Sequence, residues 1–204
     1  MNVSIINIGI SNIFSIKSSI ENLGFNVKCI NNPKDLYSAD KIILPGVGSF
    51  KAAMDKINQY NLADSLYENV IVKKKYFLGI CVGMQVLATK GYEMGNFKGL
   101  SFVDCEVRSL KDLGCNLQIP HVGWNHIKFN QNKLTKNIPL NSDFYFLHSF
   151  AINKIDQNYV VGFADYGIKV ISIINKENIF GTQFHPEKSS KNGLNILKNF
   201  LEMK

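Results

Sequence analysis

Arginine is almost missing from this chain. Arg108 is the only one among 204 residues, so the net charge of +7 is carried by lysine. Proteins that read nucleic-acid bases use arginine forks and basic stripes interleaved with aromatics. The one basic cluster, Lys73-Lys74-Lys75, sits between a predicted helix and a predicted strand. It reads as solvated surface, and no nucleic-acid partner is expected. No apolar run approaches the ~18–20 residues that cross a bilayer, so no membrane partner is expected either. The start, from Met1 to Gly9, lacks a basic stretch, a long apolar stretch and a small-residue cleavage site. It reads as a buried strand, and the expected location is cytoplasmic. Cysteines at CxxC spacing are absent, because Cys29, Cys81, Cys105 and Cys115 stand far apart. Neither a disulfide framework, a metal site nor a cofactor is expected. Cys29, Cys105 and Cys115 have no chemical context and read as packing residues. Repeats and low-complexity linkers are also missing, so residues 1–204 are expected to form one domain.

What is present is enough apolar chain, 46% of residues, to bury a full core. Val3 to Ile8, Phe25 to Ile30, Lys41 to Leu44 and Tyr76 to Ile80 read as strands. Between them, Ile13, Ile16, Ile20 and Leu23 mark one face of a helix that ends at Gly24. Helical segments are predicted over 51–72 and 82–89. The second half reads as strands over 101–108, 125–129, 144–147, 159–164, 169–174 and 179–184, antiparallel additions to the same sheet. A last helix carries Leu194, Leu197, Phe200 and Leu201 on one face. The alternation predicts an α/β fold, with a mixed, mainly parallel sheet and helices on both faces.

Three segments carry chemistry. In Gly79-Ile80-Cys81-Val82-Gly83 a strand enters a GxCxG turn and a helix starts at once. This is the cysteine form of a nucleophile elbow. It would put a thiol at a helix N-terminus, where free N–H groups favour a thiolate, and aim the Val82 N–H at an oxyanion. On this motif alone, a buried packing cysteine is as good a reading. In Phe184-His185-Pro186-Glu187 a strand delivers His185 at its end, and Pro186 keeps it extended. Residues two apart then share a side, so Glu187 can orient the His185 ring. Cys81, His185 and Glu187 make a complete nucleophilic triad. Leu44-Pro45-Gly46-Val47-Gly48-Ser49 is a glycine-rich loop without the Gly-Lys-Ser/Thr ending of a phosphate loop. Its bare N–H groups suit a developing oxyanion.

In this order, the three motifs resemble the triad-type (class I) glutamine amidotransferases. Pro120-His121-Val122-Gly123-Trp124-Asn125 is similar to the Pro-His-Met-Gly-Trp-Asn segment of the glutaminase subunits of imidazole glycerol phosphate synthases. Phe144 to Phe150 and His185 to Ser190 match those subunits too. The departures are Ser11 for a glycine, Phe150 for tyrosine, Val82 for leucine and Val122 for methionine; none removes a catalytic group. The resemblance implies a flavodoxin-like amidotransferase fold and L-glutamine as substrate. It implies that Gln85, Ser149 and Phe150 position the glutamine, the last two through backbone groups. It also implies a heterodimer with a (βα)8-barrel cyclase that receives the ammonia, in histidine biosynthesis. Asn12, Trp124, Tyr145 and Lys188 would face that partner, and the Gly46–Gly48 loop would be poorly set without it. Trp124 alone could equally be a core aromatic. Three alternatives stay open: a paralogue feeding a sugar-modifying synthase of surface polysaccharide, a partner-free hydrolase, and a catalytically silent binding subunit.

Overall fold

β1 (Val3–Ile6) buries all four of its side chains in the computed structural model, which describes residues 1–204. A strand covered on both faces belongs inside a parallel sheet. β1 accordingly pairs in parallel with β2 (Val27–Ile30) on one side and β3 (Lys41–Gly46) on the other. α1 (Ile13–Asn22) crosses from β1 to β2, and Asn12 caps it by accepting the Ser15 N–H at 3.3 Å. α2 (Phe50–Gln59) and α3 (Leu62–Leu66), the latter running on into a π-helical stretch at Tyr67–Val72, cross from β3 to β4 (Tyr76–Cys81). The two crossovers step toward opposite edges of the sheet. Because such crossovers are right-handed, their helices lie on opposite faces.

The next helix departs from expectation. α4 (Val82–Gln85) is a single turn, not a helix to residue 89. The carbonyls of Val86, Leu87, Ala88 and Thr89 instead accept N–H groups from residues 99–103. That tertiary pairing replaces the helical bonds. It also keeps 101–105 out of any strand, so the predicted strand shrinks to β7 (Glu106–Ser109), after β5 (Lys90–Gly91) and β6 (Phe97–Lys98). The chain continues through β8 (His121–Phe129), β9 (Ser142–His148), β10 (Phe150–Asn153), β11 (Val160–Asp165), β12 (Lys169–Lys176) and β13 (Ile179–Thr182) to α5 (Ser190–Glu202). Leu197, Phe200 and Leu201 of α5 are buried as predicted. Lys41, on β3, donates to the Phe200 and Met203 carbonyls, both at 2.7 Å, and so caps the end of α5.

The large sheet is mixed, with the order β2-β1-β3-β4-β13-β12-β11-β8-β9. β2, β1, β3, β4 and β13 run parallel, and β12, β11, β8 and β9 continue the sheet antiparallel. β10, β7, β5 and β6 form a second, smaller sheet; of its strands only β7 lies in a predicted one, expected over 101–108 in the large sheet, and β5, β6 and β10 are not predicted. In the parallel half, Gly46 lies opposite Cys81, and Thr182 opposite Ile80. The glycine loop, the GxCxG turn and the His185 segment therefore leave the sheet side by side. In open α/β sheets that carboxyl edge is where ligands bind.

Candidate active site

Cys81 ends β4 with φ 54° and ψ −112°, a conformation that side chains rarely adopt. The flanking glycines make it possible. A Cβ on Gly79 would strike the Gly83 carbonyl, and one on Gly83 would strike the Leu44 carbonyl of β3. The turn is thus clamped against the neighbouring strand, and the sulfur stands at the start of α4, where the first N–H groups have no helical partner.

His185 follows β13. Its N–H donates to the Tyr145 carbonyl at 2.9 Å, and Ser189 Oγ donates to its carbonyl at 2.6 Å. Its Nδ1 lies 2.9 Å from Glu187 Oε1, and both side chains are 2% exposed. Glu187 does not reach it along an extended strand, as expected from spacing. Pro186–Lys188 forms a 3₁₀ turn that brings the carboxylate back to Nδ1 at the edge of the ring. With Nδ1 engaged, Nε2 is buried and has no hydrogen-bond partner. Burial, the strongest influence on His185, opposes its charge. The Cys81 sulfur and the Glu187 carboxylate together outweigh it and raise the pKa to about 10. The three predicted catalytic side chains are therefore brought together, with His185 held as the imidazolium.

Beside Cys81 opens a cavity of about 440 Å³, lined by Val47, Gly48, Val82, Gln85, Ser149 and Phe150 among others. Gly46, the last residue of β3, pairs with Cys81 but does not line it. Three backbone groups around the cavity already have partners within the protein. The Val47 N–H donates to the Ile10 carbonyl at 2.8 Å, so this loop donor is engaged inside the protein. The Ser149 carbonyl accepts from Leu110 N–H at 2.8 Å, and the Phe150 carbonyl from Gln85 Nε2 at 2.9 Å. Those two carbonyls tie the cavity wall to Leu110 and Gln85.

The whole chain has relatives. The family model for class-I glutamine amidotransferases matches residues 4–203. The chain is 43% identical over 202 residues to an imidazole glycerol phosphate synthase subunit HisH 1 of Campylobacter jejuni, covering 98% of this chain and 100% of that one. It is 36% identical over 204 residues to the HisH subunit of Bacillus subtilis, covering 98% and 96%. The chain belongs to the class-I glutamine amidotransferase family, among the HisH subunits. Among solved structures, one titled a glutamine amidotransferase superposes with a TM-score of 0.77 at 14% identity, covering 98% of this chain and 97% of that chain. PurLQS from Thermotoga maritima gives 0.73 at 20%, with coverages of 98% and 97%. At those identities they speak for the fold alone.

For an amidotransferase, what surrounds the cavity matters as much as the triad. Trp124 is 52% exposed, so it is a surface residue and not a core aromatic. It pairs across β8 and β9 with Tyr145, ring edge to ring face at 6.2 Å. The Lys188 ammonium lies 5.7 Å from the Tyr145 ring centre. Trp124, Tyr145 and Lys188 form one group; Asn12 is exposed, with its side chain engaged as the α1 cap. Several residues were missed. Glu93 lines the cavity and accepts the Phe50 N–H of α2 at 2.7 Å. His121 and His148 are buried and joined at 2.9 Å. Gln183, fully buried, touches the Cys81 sulfur. Gln183 lies in the predicted strand that delivers His185, and His121 and His148 lie in the two segments that match the glutaminase subunits; Glu93 had no sequence signal. Cys29, read as packing, is exposed on edge strand β2, whereas Cys105 and Cys115 are buried.

Proposed function

We propose that this chain is the glutaminase subunit of an imidazole glycerol phosphate synthase, acting in the cytoplasm as one amidotransferase domain. The observation that carries the chemistry is the buried, unpartnered Nε2 of His185 beside Cys81, with Nδ1 held by Glu187. Cys81 Sγ attacks the side-chain carbonyl of L-glutamine. The negative oxygen of the tetrahedral adduct meets the Val82 N–H. His185 gives its Nε2 proton to the departing nitrogen, the C–N bond breaks, and ammonia leaves a glutamyl thioester. Neutral His185 then takes a proton from water, which attacks the thioester and releases glutamate and free Cys81.

The engaged Val47 N–H supports a glutaminase held back in isolation. A full oxyanion site needs this loop to give up Ile10 and turn toward the cavity, a change that partner docking would drive. The HisH relatives favour a (βα)8-barrel cyclase as that partner, receiving ammonia to form imidazole glycerol phosphate and aminoimidazole carboxamide ribonucleotide. The group of exposed Trp124 and Lys188 around half-buried Tyr145 supports this face as the docking face. A glutamine-mimicking diazo-ketone tests the site: it should label Cys81 and spare Cys29, Cys105 and Cys115. Equal labelling of exposed Cys29 would mean that the cavity does not select glutamine.

A further inference from the structure

Gln183 lies one residue beyond β13, and no atom of it reaches solvent. Its backbone N–H is accounted for by the Ser172 carbonyl at 2.9 Å. Its side chain stands between two others. Gln85 Nε2 lies 3.0 Å from Gln183 Oε1, and Gln183 Nε2 lies 3.7 Å from Cys81 Sγ. The orientation of both amides follows from one atom that cannot donate. The Phe150 carbonyl accepts at 2.9 Å from Gln85, so Gln85 must present its NH₂ there. The same NH₂ meets Gln183, which must present its oxygen. The Gln183 NH₂ is left facing the sulfur.

The other side of the Phe150 carbonyl is equally determined. Asn125 Oδ1 accepts the His126 N–H at 2.7 Å, so Asn125 Nδ2 faces His121 Nε2 at 3.1 Å. His121 must then be neutral and donate from Nδ1 to His148 Nε2, and His148 donates from Nδ1 to Phe150 at 2.9 Å. Burial holds both rings neutral, His121 at a pKa of about 4 and His148 at about 3. Every donor in this chain has one possible direction.

We infer that Gln183 is a positioning residue for the nucleophile: its amide N–H holds the Cys81 sulfur and favours its thiolate. The two states of Cys81 have different partners. The thiol can donate to the Leu147 carbonyl at 3.8 Å, and the thiolate can accept from Gln183. A donor fixed beside the sulfur favours the charged form and holds Sγ in one rotamer toward the glutamine carbonyl. Gln183 touches no substrate position, so it acts only through Cys81. The inference rests on the reading of Cys81 as nucleophile.

The test uses the full-length chain. Alkylation of Cys81 by iodoacetamide is followed by mass spectrometry across the pH range, with Cys29 as internal reference. The other ionisable groups around the site, His185, Glu187, His148 and Glu93, are the same in every variant. Gln183→Met, of similar volume but without a donor, should move the profile to higher pH than in the unaltered chain. With the partner present, kcat for glutamine should drop roughly 10–100-fold, with KM changed less than about twofold. Gln183→Glu keeps the shape and puts an ionisable oxygen on the sulfur. Its activity should recover as the pH is lowered and the carboxyl gains a proton that it can donate. If Gln183→Met does not fold, Gln183→Glu carries the test alone. Unshifted profiles, or a loss seen in KM alone, would overturn the inference. Glutaminase activity surviving in Cys81→Ala would instead overturn the assignment of the nucleophile.

Discussion

Cys81 occupies a backbone position that costs on the order of 1–3 kcal/mol for a residue other than glycine. That strain is held by the Gly83 approach to Leu44 and by the pairing of Cys81 with Gly46. The return is a sulfur that stands clear of its own strand and beside His185. The same logic separates the roles of His185 and Glu187. In the proposed reaction His185 exchanges protons with the reacting groups, while Glu187 acts only through the ring. His185→Asn should lower glutamine-dependent turnover by about 10²–10⁴-fold. Glu187→Gln, which keeps an acceptor oxygen for Nδ1, should be milder. Steady-state rates with saturating partner decide this, and full activity in His185→Asn would reject the triad.

Between strands β8 and β9, two neutral histidines take the place of apolar core. His121 stacks on Phe146 at 4.5 Å and on Tyr166 at 3.9 Å, which excludes water from its bond to His148. The pKa of His121 is lowered by burial from 6.5 to about 4, and that of His148, mainly by burial, to about 3. Both are neutral when folded and take up protons more readily when unfolded. Their contribution to stability is therefore full above about pH 6.5 and lost as the pH drops toward 4 and then 3. His185 has the opposite sign: its raised pKa gives stability that is full below 6.5 and lost as the pH rises through about 10. Thermal melts from neutral to acid pH should show the first effect. His121→Gln should flatten that acid slope and cost about 1–3 kcal/mol at neutral pH. An unchanged slope would place the acid sensitivity elsewhere. These histidines also show where sequence reading stops. The parallel strands and the elbow were legible because each is local: apolar runs, glycine spacing, a proline after His185. The single turn of α4, the smaller sheet, the extension of β8 back to His121 and the contact of Gln183 with Cys81 depend on segments far apart in the chain. Thr89 pairing with Cys105 and Gly99, or Gln85 with Gln183, has no signature in either stretch alone.

At the scale of the molecule, the proposed chemistry and the proposed docking face share one edge of the sheet. Tyr145 presents its ring beside Trp124 while its backbone carbonyl holds the His185 N–H. Lys188 follows the triad Glu187 directly. On the proposed function, ammonia released at Cys81 must reach the partner before it meets water and becomes ammonium, so the shared edge would have to be sealed. Exposed aromatics often anchor such interfaces. Trp124→Ala should loosen the seal and leave the triad intact. The amount of glutamate formed per product should then rise clearly above one, measured by quantifying both. A ratio fixed at one with unchanged partner affinity would move the docking face away from Trp124.

The account turns on Cys81 releasing ammonia for use on another subunit. The most direct measurement is product formation by the complex carrying Cys81→Ala, once with glutamine and once with an added ammonium salt. Loss of the glutamine-dependent reaction with the ammonium-dependent reaction retained is the predicted result. Glutamine-dependent synthesis near the wild-type rate would contradict it.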